Sequence, residues 1–365
     1  MNQRMEKMMN WLREQQVDVA FIYAPTNIYY FTHFMCNPHE RLLGLFIFPE
    51  RDPFLICPLL EMREVKNTGW PYTIIGYDDV ENPWEMIRAE LSKRLQKQVI
   101  QMGIEKEKLT YARAEQLKQV IPSAQFVSID EQLNELRLIK NAEEIHIMRE
   151  AGKWADYGVE VGISCLKEGI TEMEVLAQIE LELKKQGIQD MAFSTMVLFG
   201  EKTSLPHGHP GRNELKKGDM VLFDLGVKWK GYCSDITRTV AFGSVNEKQR
   251  EIYETVLNAQ LEALKYCKPG TRIGDLDQVA RSIIAEAGFG AYFTHRLGHG
   301  LGMEVHEYPS LNGTNDQVLQ PGMTFTVEPG IYVPEICGVR IEDDVVITQD
   351  GHETLTRFPK ELQVI

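Results

Sequence analysis

Two aspartates stand eleven residues apart in the run 221–240, VLFDLGVKWKGYCSDITRTV. Asp224 closes an apolar stretch, and Asp235 follows a Lys230-Gly231 turn. A hairpin of that length brings both carboxylates to adjacent strands and onto one face. Buried side by side they repel, so they must share a proton or hold a cation. Because Asp224 follows Val-Leu-Phe, a buried metal site is expected here rather than two solvated hairpin acids.

The segment 295–306, HRLGHGLGMEVH, holds three of the nine histidines, His295, His299 and His306. Its glycines let backbone approach a ligand closely. A lone histidine is usually a satisfied core residue, but three in such a segment suit metal ligation and proton shuttling. Spacing alone does not say which of them binds metal. The irregular loop 205–210, LPHGHP, adds His207 and His209. Farther on, Glu328 in TVEPG and Glu342 in GVRIED are embedded among apolar residues and read as inward carboxylates. Arg340, two positions before Glu342, could simply neutralise them. Four carboxylates and one histidine form a natural donor set for two hard or borderline divalent ions. Such a pair polarises a carbonyl and activates water at neutral pH, which is what amide hydrolysis requires. No Gly-x-Ser-x-Gly elbow, phosphate-binding Gly-x4-Gly-Lys loop or His-Glu-x-x-His helix competes.

Positioning these groups falls to a chain of 365 residues, enough for two domains. Hydrophobic residues make up 43% and charged residues 25%, ordinary for a globular protein with large cores. A formal charge of −14 argues against general nucleic-acid or anionic-membrane binding. The stretch 1–13 is polar, with no apolar run of signal-peptide length, and no stretch approaches a membrane span. The cysteines 36, 57, 165, 233, 267 and 337 show no short paired spacing, as expected of reduced thiols in a cytoplasmic protein.

Residues 1–136 read as an α/β domain. Strands are expected over 17–23, 43–48, 53–56 and 98–104, a turn at Pro25, and a helix over 83–95. A boundary falls at 136–140. Beyond it Asn141 and Glu144, then Thr171 and Glu174, read as capping boxes opening two helices, the second stopping at Gly187. The second part, 137–365, also repeats itself. Gly169 and Gly270, and Gly187 and Gly288, stand 101 residues apart. Gly218 and Gly322, Asp224 and Glu328, and Gly226 and Gly330 share a spacing of 104. Two similar halves, each placing a carboxylate at a strand end before a glycine, point to pseudo-twofold halves facing one site.

From about Asn141 onward these motifs resemble the pita-bread metallopeptidases, a family that includes prolidase, aminopeptidase P, methionine aminopeptidase and the metal-free creatinase. The resemblance implies an α+β pita-bread domain behind the α/β one. It matches Asp224, Asp235, His299, Glu328 and Glu342 to five metal ligands. In it Asp235 and Glu342 bridge two ions, Asp224 serves one, and His299 with Glu328 the other. Glu328 also matches the carboxylate that takes a proton from the attacking water. His207, His295 and His306 match histidines that orient substrate and steady the tetrahedral intermediate, and Arg340 an arginine behind the ligands. The segment 27–32, NIYYFT, resembles the N-terminal domain of prolidase and creatinase, which methionine aminopeptidase lacks. The complete ligand set speaks against creatinase and non-catalytic binding relatives. The resemblance thus implies a homodimeric Xaa-Pro dipeptidase acting on small proline-containing peptides with two divalent ions, manganese first, cobalt or zinc otherwise. Aminopeptidase P, acting on longer X-Pro peptides, is the alternative. Two departures bear on that choice: His33 stands where the family often has glycine, and Ser310 where several prolidases carry an arginine that meets the substrate carboxylate.

Overall fold

The computed structural model describes residues 3–365, which fall into two compact units divided between Leu136 and Arg137. The first is built on a six-stranded sheet. Its strands run Thr73–Tyr77, Phe54–Pro58, Gly44–Ile47, Val19–Ile22, Ile100–Ile104 and Ala124–Ser128 in spatial order. Gly44–Ile47 pairs antiparallel with both of its neighbours, and the remaining pairs are parallel. The central strands carry no polar face, in keeping with a sheet covered on both sides.

All four strands expected in this unit form, each trimmed by one or two residues at an end or shifted. The turn expected at Pro25 is instead a helix, Pro25–Thr32, with the proline in its first turn. A proline's preset φ and missing N–H suit that position, so the residue that looked like a break is a start. The NIYYFT segment lies on this helix and buries Asn27, Ile28, Tyr30, Phe31 and Thr32.

The second unit shows its duplication directly. Helices Ala142–Ser164 and Glu172–Lys185 precede strands Met196–Phe199, Met220–Leu225, Val227–Trp229, Tyr232–Cys233 and Ile236–Ala241. Helices Glu247–Lys265 and Ile273–Glu286 then precede Gly298–Gly300, Glu307–Leu311, Thr324–Val327, Gly330–Val333, Cys337–Arg340 and Asp343–Ile347. The expected capping boxes at Asn141 and Thr171 form, and Asn246 with Gln249 repeats the first one in the second half. The paired glycines adopt matching left-handed backbone: φ is +83° and +84° at Gly169 and Gly270, and +92° and +90° at Gly218 and Gly322. Such φ values are cheap only for glycine, so the spacing marks the same turn used twice. These halves form the pita-bread arrangement.

Each half packs its helices on its own strands. Val159, Ile179, Phe223 and Leu225 belong to one core, and Ile252, Leu276, Phe325 and Val345 to the other. The strand pair at the site has Thr237 opposite Asp224, with Asp235 just ahead of its strand. Lys230 and Gly231, at φ +46° and +83°, turn the intervening hairpin. Beside it Gly226 carries a strict requirement. A Cβ there would lie 1.9 Å from the Ser234 carbonyl oxygen. Gly226→Ala is therefore expected to lower stability by about 1–3 kcal/mol or more, since backbone must move to admit the methyl. Urea unfolding measures this, and an unchanged midpoint would show that the two segments are not held so close.

Candidate metal centre

The site lies where strands of both halves end. Asp224 is the penultimate residue of Met220–Leu225, Asp235 precedes Ile236–Ala241, and Glu328 follows Thr324–Val327. Glu342 sits between Cys337–Arg340 and Asp343–Ile347, while His299 is the middle of Gly298–Gly300. One donor atom each from Asp235, His299 and Glu342 lies within 4.8 Å of the other two, and all three residues are buried. His299 Nε2 stands 3.2 Å from Glu328 Oε1 and 3.8 Å from Asp235 Oδ2. Its Nδ1 lies 3.2 Å from the Gly300 carbonyl, a pure acceptor, so that nitrogen carries a proton and Nε2 is the atom turned to the carboxylates. Among the three histidines of the 295–306 segment, the structure thus turns His299 toward the carboxylates.

Hydrogen bonds fix the carboxylates but leave them incomplete. Thr237 Oγ1 donates to Glu342 Oε2 at 2.6 Å, and Thr326 Oγ1 to Glu328 Oε1 at 3.1 Å. Arg340 pairs with Asp224 through Nη2. Yet Asp224 Oδ1, Asp235 Oδ1 and Glu342 Oε1 are buried with no partner among the described residues. Burial and the charge of Glu342 push the Asp235 carboxyl well above its ordinary value, and burial with Glu328 does the same to Glu342. Burial also raises Asp224, against the pull of Arg340. Glu328 goes the other way: burial opposes ionisation, but the hydrogen bond and charge of His299 hold it at about 2. Orphaned oxygens on repelling acids, with one imidazole nitrogen among them, fit divalent cations well.

A cavity of about 370 Å³ opens onto this cluster. Nine of the residues singled out from the sequence line it: Asp224, Asp235, His299, Glu328, Glu342, Arg340, His207, His295 and His306. His209 does not. Phe193, Met196 and Val305 add apolar wall. The ring of His306 stands edge-on to that of His299, 4.2 Å between centroids. Burial lowers the pKa of both His295 and His306, which keeps them neutral near pH 7. Unlike His207 and His306, His295 has both ring nitrogens engaged. Nδ1 meets the Arg296 carbonyl at 2.7 Å and Nε2 the Tyr332 hydroxyl at 2.9 Å. Both contacts are to protein groups, the second to Tyr332.

Sequence reasoning missed Tyr332, Thr237 and Asp344. Tyr332 accepts from Arg340 Nη1 at 2.8 Å while bonded to His295. Thr237 joins Glu342 to Arg340, whose Nε donates to its hydroxyl at 3.0 Å. Asp344 Oδ2 accepts the Asp235 N–H at 2.9 Å. The one available signal was alternation, since Thr237 is two residues from Asp235 and directly opposite Asp224 in the strand pair.

With this geometry in place, two family descriptions match the chain: the creatinase/prolidase N-terminal domain over residues 4–139 and metallopeptidase family M24 over residues 146–349. The Bacillus subtilis (strain 168) protein YkvY, provisionally named a dipeptidase, is 58% identical over 362 residues, 99% of each chain. The solved prolidase from Pyrococcus horikoshii OT3 is similar at a TM-score of 0.90 and 37% identity, over 99% of this chain and 100% of that one. The Xaa-Pro dipeptidase from Bacillus anthracis reaches 0.92 at 34% identity, over 99% of each.

The raised carboxyls have a measurable consequence. An acid whose folded pKa is raised binds its proton more tightly when folded, so its cost is absent below the unfolded value, 3.8 for Asp235. That cost grows as pH rises toward the folded value. In metal-stripped protein, Asp235→Asn is therefore expected to raise the thermal midpoint relative to wild type, by a margin that widens from about pH 4 to 7. The same variant should lose the stabilisation that added manganese gives wild type. An undiminished metal-dependent gain in the variant would remove Asp235 from the centre.

Proposed function

The chain belongs to metallopeptidase family M24, and on that premise we propose that it is an Xaa-Pro dipeptidase holding two divalent cations on Asp224, Asp235, His299, Glu328 and Glu342. The observation that carries the reading is the convergence of Asp235, His299 and Glu342 within 4.8 Å beside unpartnered carboxylate oxygens. In this reading all five side chains would hold the pair of ions, with Asp235, His299 and Glu342 at its centre. When bound, the cations polarise the scissile carbonyl and lower the pKa of a water. The oxygen-rich donor set favours manganese, with cobalt or zinc as substitutes.

The protein's own groups supply the rest. Glu328, ionised and held at Oε1 by the Thr326 hydroxyl, takes the proton of the attacking water at Oε2. His207 and His306 line the cavity, and among the described residues neither spends a ring nitrogen on a hydrogen bond. They orient the carbonyl and steady its oxygen as charge develops. His295 and Arg340 hold Tyr332 between them, and Arg340 also fixes Asp224. Phe193, Met196 and Val305 receive the apolar pyrrolidine ring of the substrate. Six free cysteines fit a reducing cytoplasm. A homodimer belongs to the same reading, and Leu59 and Leu60, 53% and 64% exposed, offer apolar surface for it. Ser310 favours one second reading, an aminopeptidase P taking longer X-Pro peptides, because a hydroxyl stands where several prolidases have a cation. Relative turnover of an X-Pro dipeptide and an X-Pro-containing tripeptide decides between them.

Chelation is expected to abolish X-Pro hydrolysis and manganese or cobalt to restore it, with up to two ions per chain on metal analysis. Full activity in metal-free protein would overturn the reading. His207→Ala and His306→Ala should retain metal but lower kcat about 10²–10⁴-fold, the range for positioned acid–base groups. Loss of bound metal in either variant would make that histidine a ligand instead.

A further inference from the structure

A dipeptide substrate ends in a carboxylate beside its proline, and burying that charge without a cationic partner is costly. Two guanidinium groups line the cavity, Arg296 and Arg340. Arg340 has no donor to spare. Its Nε goes to Thr237, Nη1 to Tyr332 and the Pro206 carbonyl, and Nη2 to Asp224 and the Met196 sulfur. Those contacts use all five N–H directions of the group.

Arg296 is the reverse case. It is exposed, makes no ion pair among the described residues, and uses one donor, Nη1 to Ser310 Oγ at 3.1 Å. Ser310 stands directly opposite His299 in the strand pairing, which puts the two side chains on one face. Its oxygen also accepts from Asn312 Nδ2 at 2.9 Å. Asn312 is itself oriented, because its Oδ1 accepts from the Thr314 amide at 3.0 Å and the Thr314 hydroxyl at 2.7 Å. With both lone pairs of the Ser310 oxygen filled, its O–H is left to donate. An unpaired guanidinium with a hydroxyl donor at its side makes an anion receptor on the rim of the catalytic cavity.

We infer that Arg296, steadied by Ser310 and Asn312, binds the C-terminal carboxylate of the substrate. The inference rests on the dipeptidase reading. It also gives Ser310 a use: the serine supports an arginine just ahead of the neighbouring strand rather than marking the loss of one.

The test compares an X-Pro dipeptide with its C-terminal amide, in manganese-loaded wild type and Arg296→Ala, resolving kcat from KM. Wild type should prefer the free acid. Arg296→Ala should raise KM for the free acid and lower its kcat/KM about 10- to 100-fold, the worth of a charge-assisted hydrogen-bonded pair. The acid-to-amide ratio then falls toward one, while metal content stays at the wild-type level. An unchanged ratio in the variant, or no preference for the acid in wild type, overturns the assignment of Arg296 alone. Failure of wild type to cleave either substrate overturns the dipeptidase reading and this assignment together.

Discussion

Four carboxylates converging in a low-dielectric wall set the terms for the whole second unit. Each pays a desolvation cost and each raises that of its neighbours, so the arrangement is stable only with positive charge among them. The polypeptide supplies part of that charge itself. Arg340 is buried and bonded to Asp224, and its remaining donors tie Tyr332, Thr237 and the 206 carbonyl to the same point. What it leaves uncompensated is concentrated on Asp235 and Glu342, the residues most strongly resisting ionisation. The site's demand for cations is therefore built into its geometry.

Duplication is how one chain delivers acids from opposite directions. Each half offers a strand ending in a carboxylate, Asp224 in one and Glu328 in the other, followed two residues on by a glycine. Both glycines are places where a side chain would collide, with the Ser234 carbonyl at Gly226 and the Tyr332 hydroxyl at Gly330. The same packing that brings the halves' strand ends near their neighbours thus excludes larger residues there. Helices capped in the same manner hold each strand set from outside, which fixes the strand ends to the tolerance metal ligation needs.

A second buried charge cluster secures the loop that carries His306. Glu307, the next residue, is paired with Arg137 and Lys140. Burial opposes its ionisation, but those two cations hold it at about 2. It also accepts the Glu304 amide at 3.0 Å, closing the turn before His306. The first residues of the second unit therefore brace the His306 loop from behind.

Much of this was legible in the chain. Asp224, Asp235, Glu328 and Glu342 announced themselves as acids inside apolar runs, an arrangement that has few stable explanations. The capping boxes at Asn141 and Thr171 and the paired glycines were local signals, readable because helix starts and left-handed turns depend on a few adjacent residues. Pro25 misled for the same local reason, since a proline breaks a helix interior but suits its first turn. Tertiary structure alone decided which histidine faces the acids, that His295 is committed to Tyr332, and that Arg340 is saturated while Arg296 makes no ion pair among the described residues. Those facts depend on contacts such as Thr237 with Glu342 and His299 with Ser310, whose partners are set by strand register. A shift of register by one residue would turn every such side chain to the other face, and no short window of sequence encodes that choice.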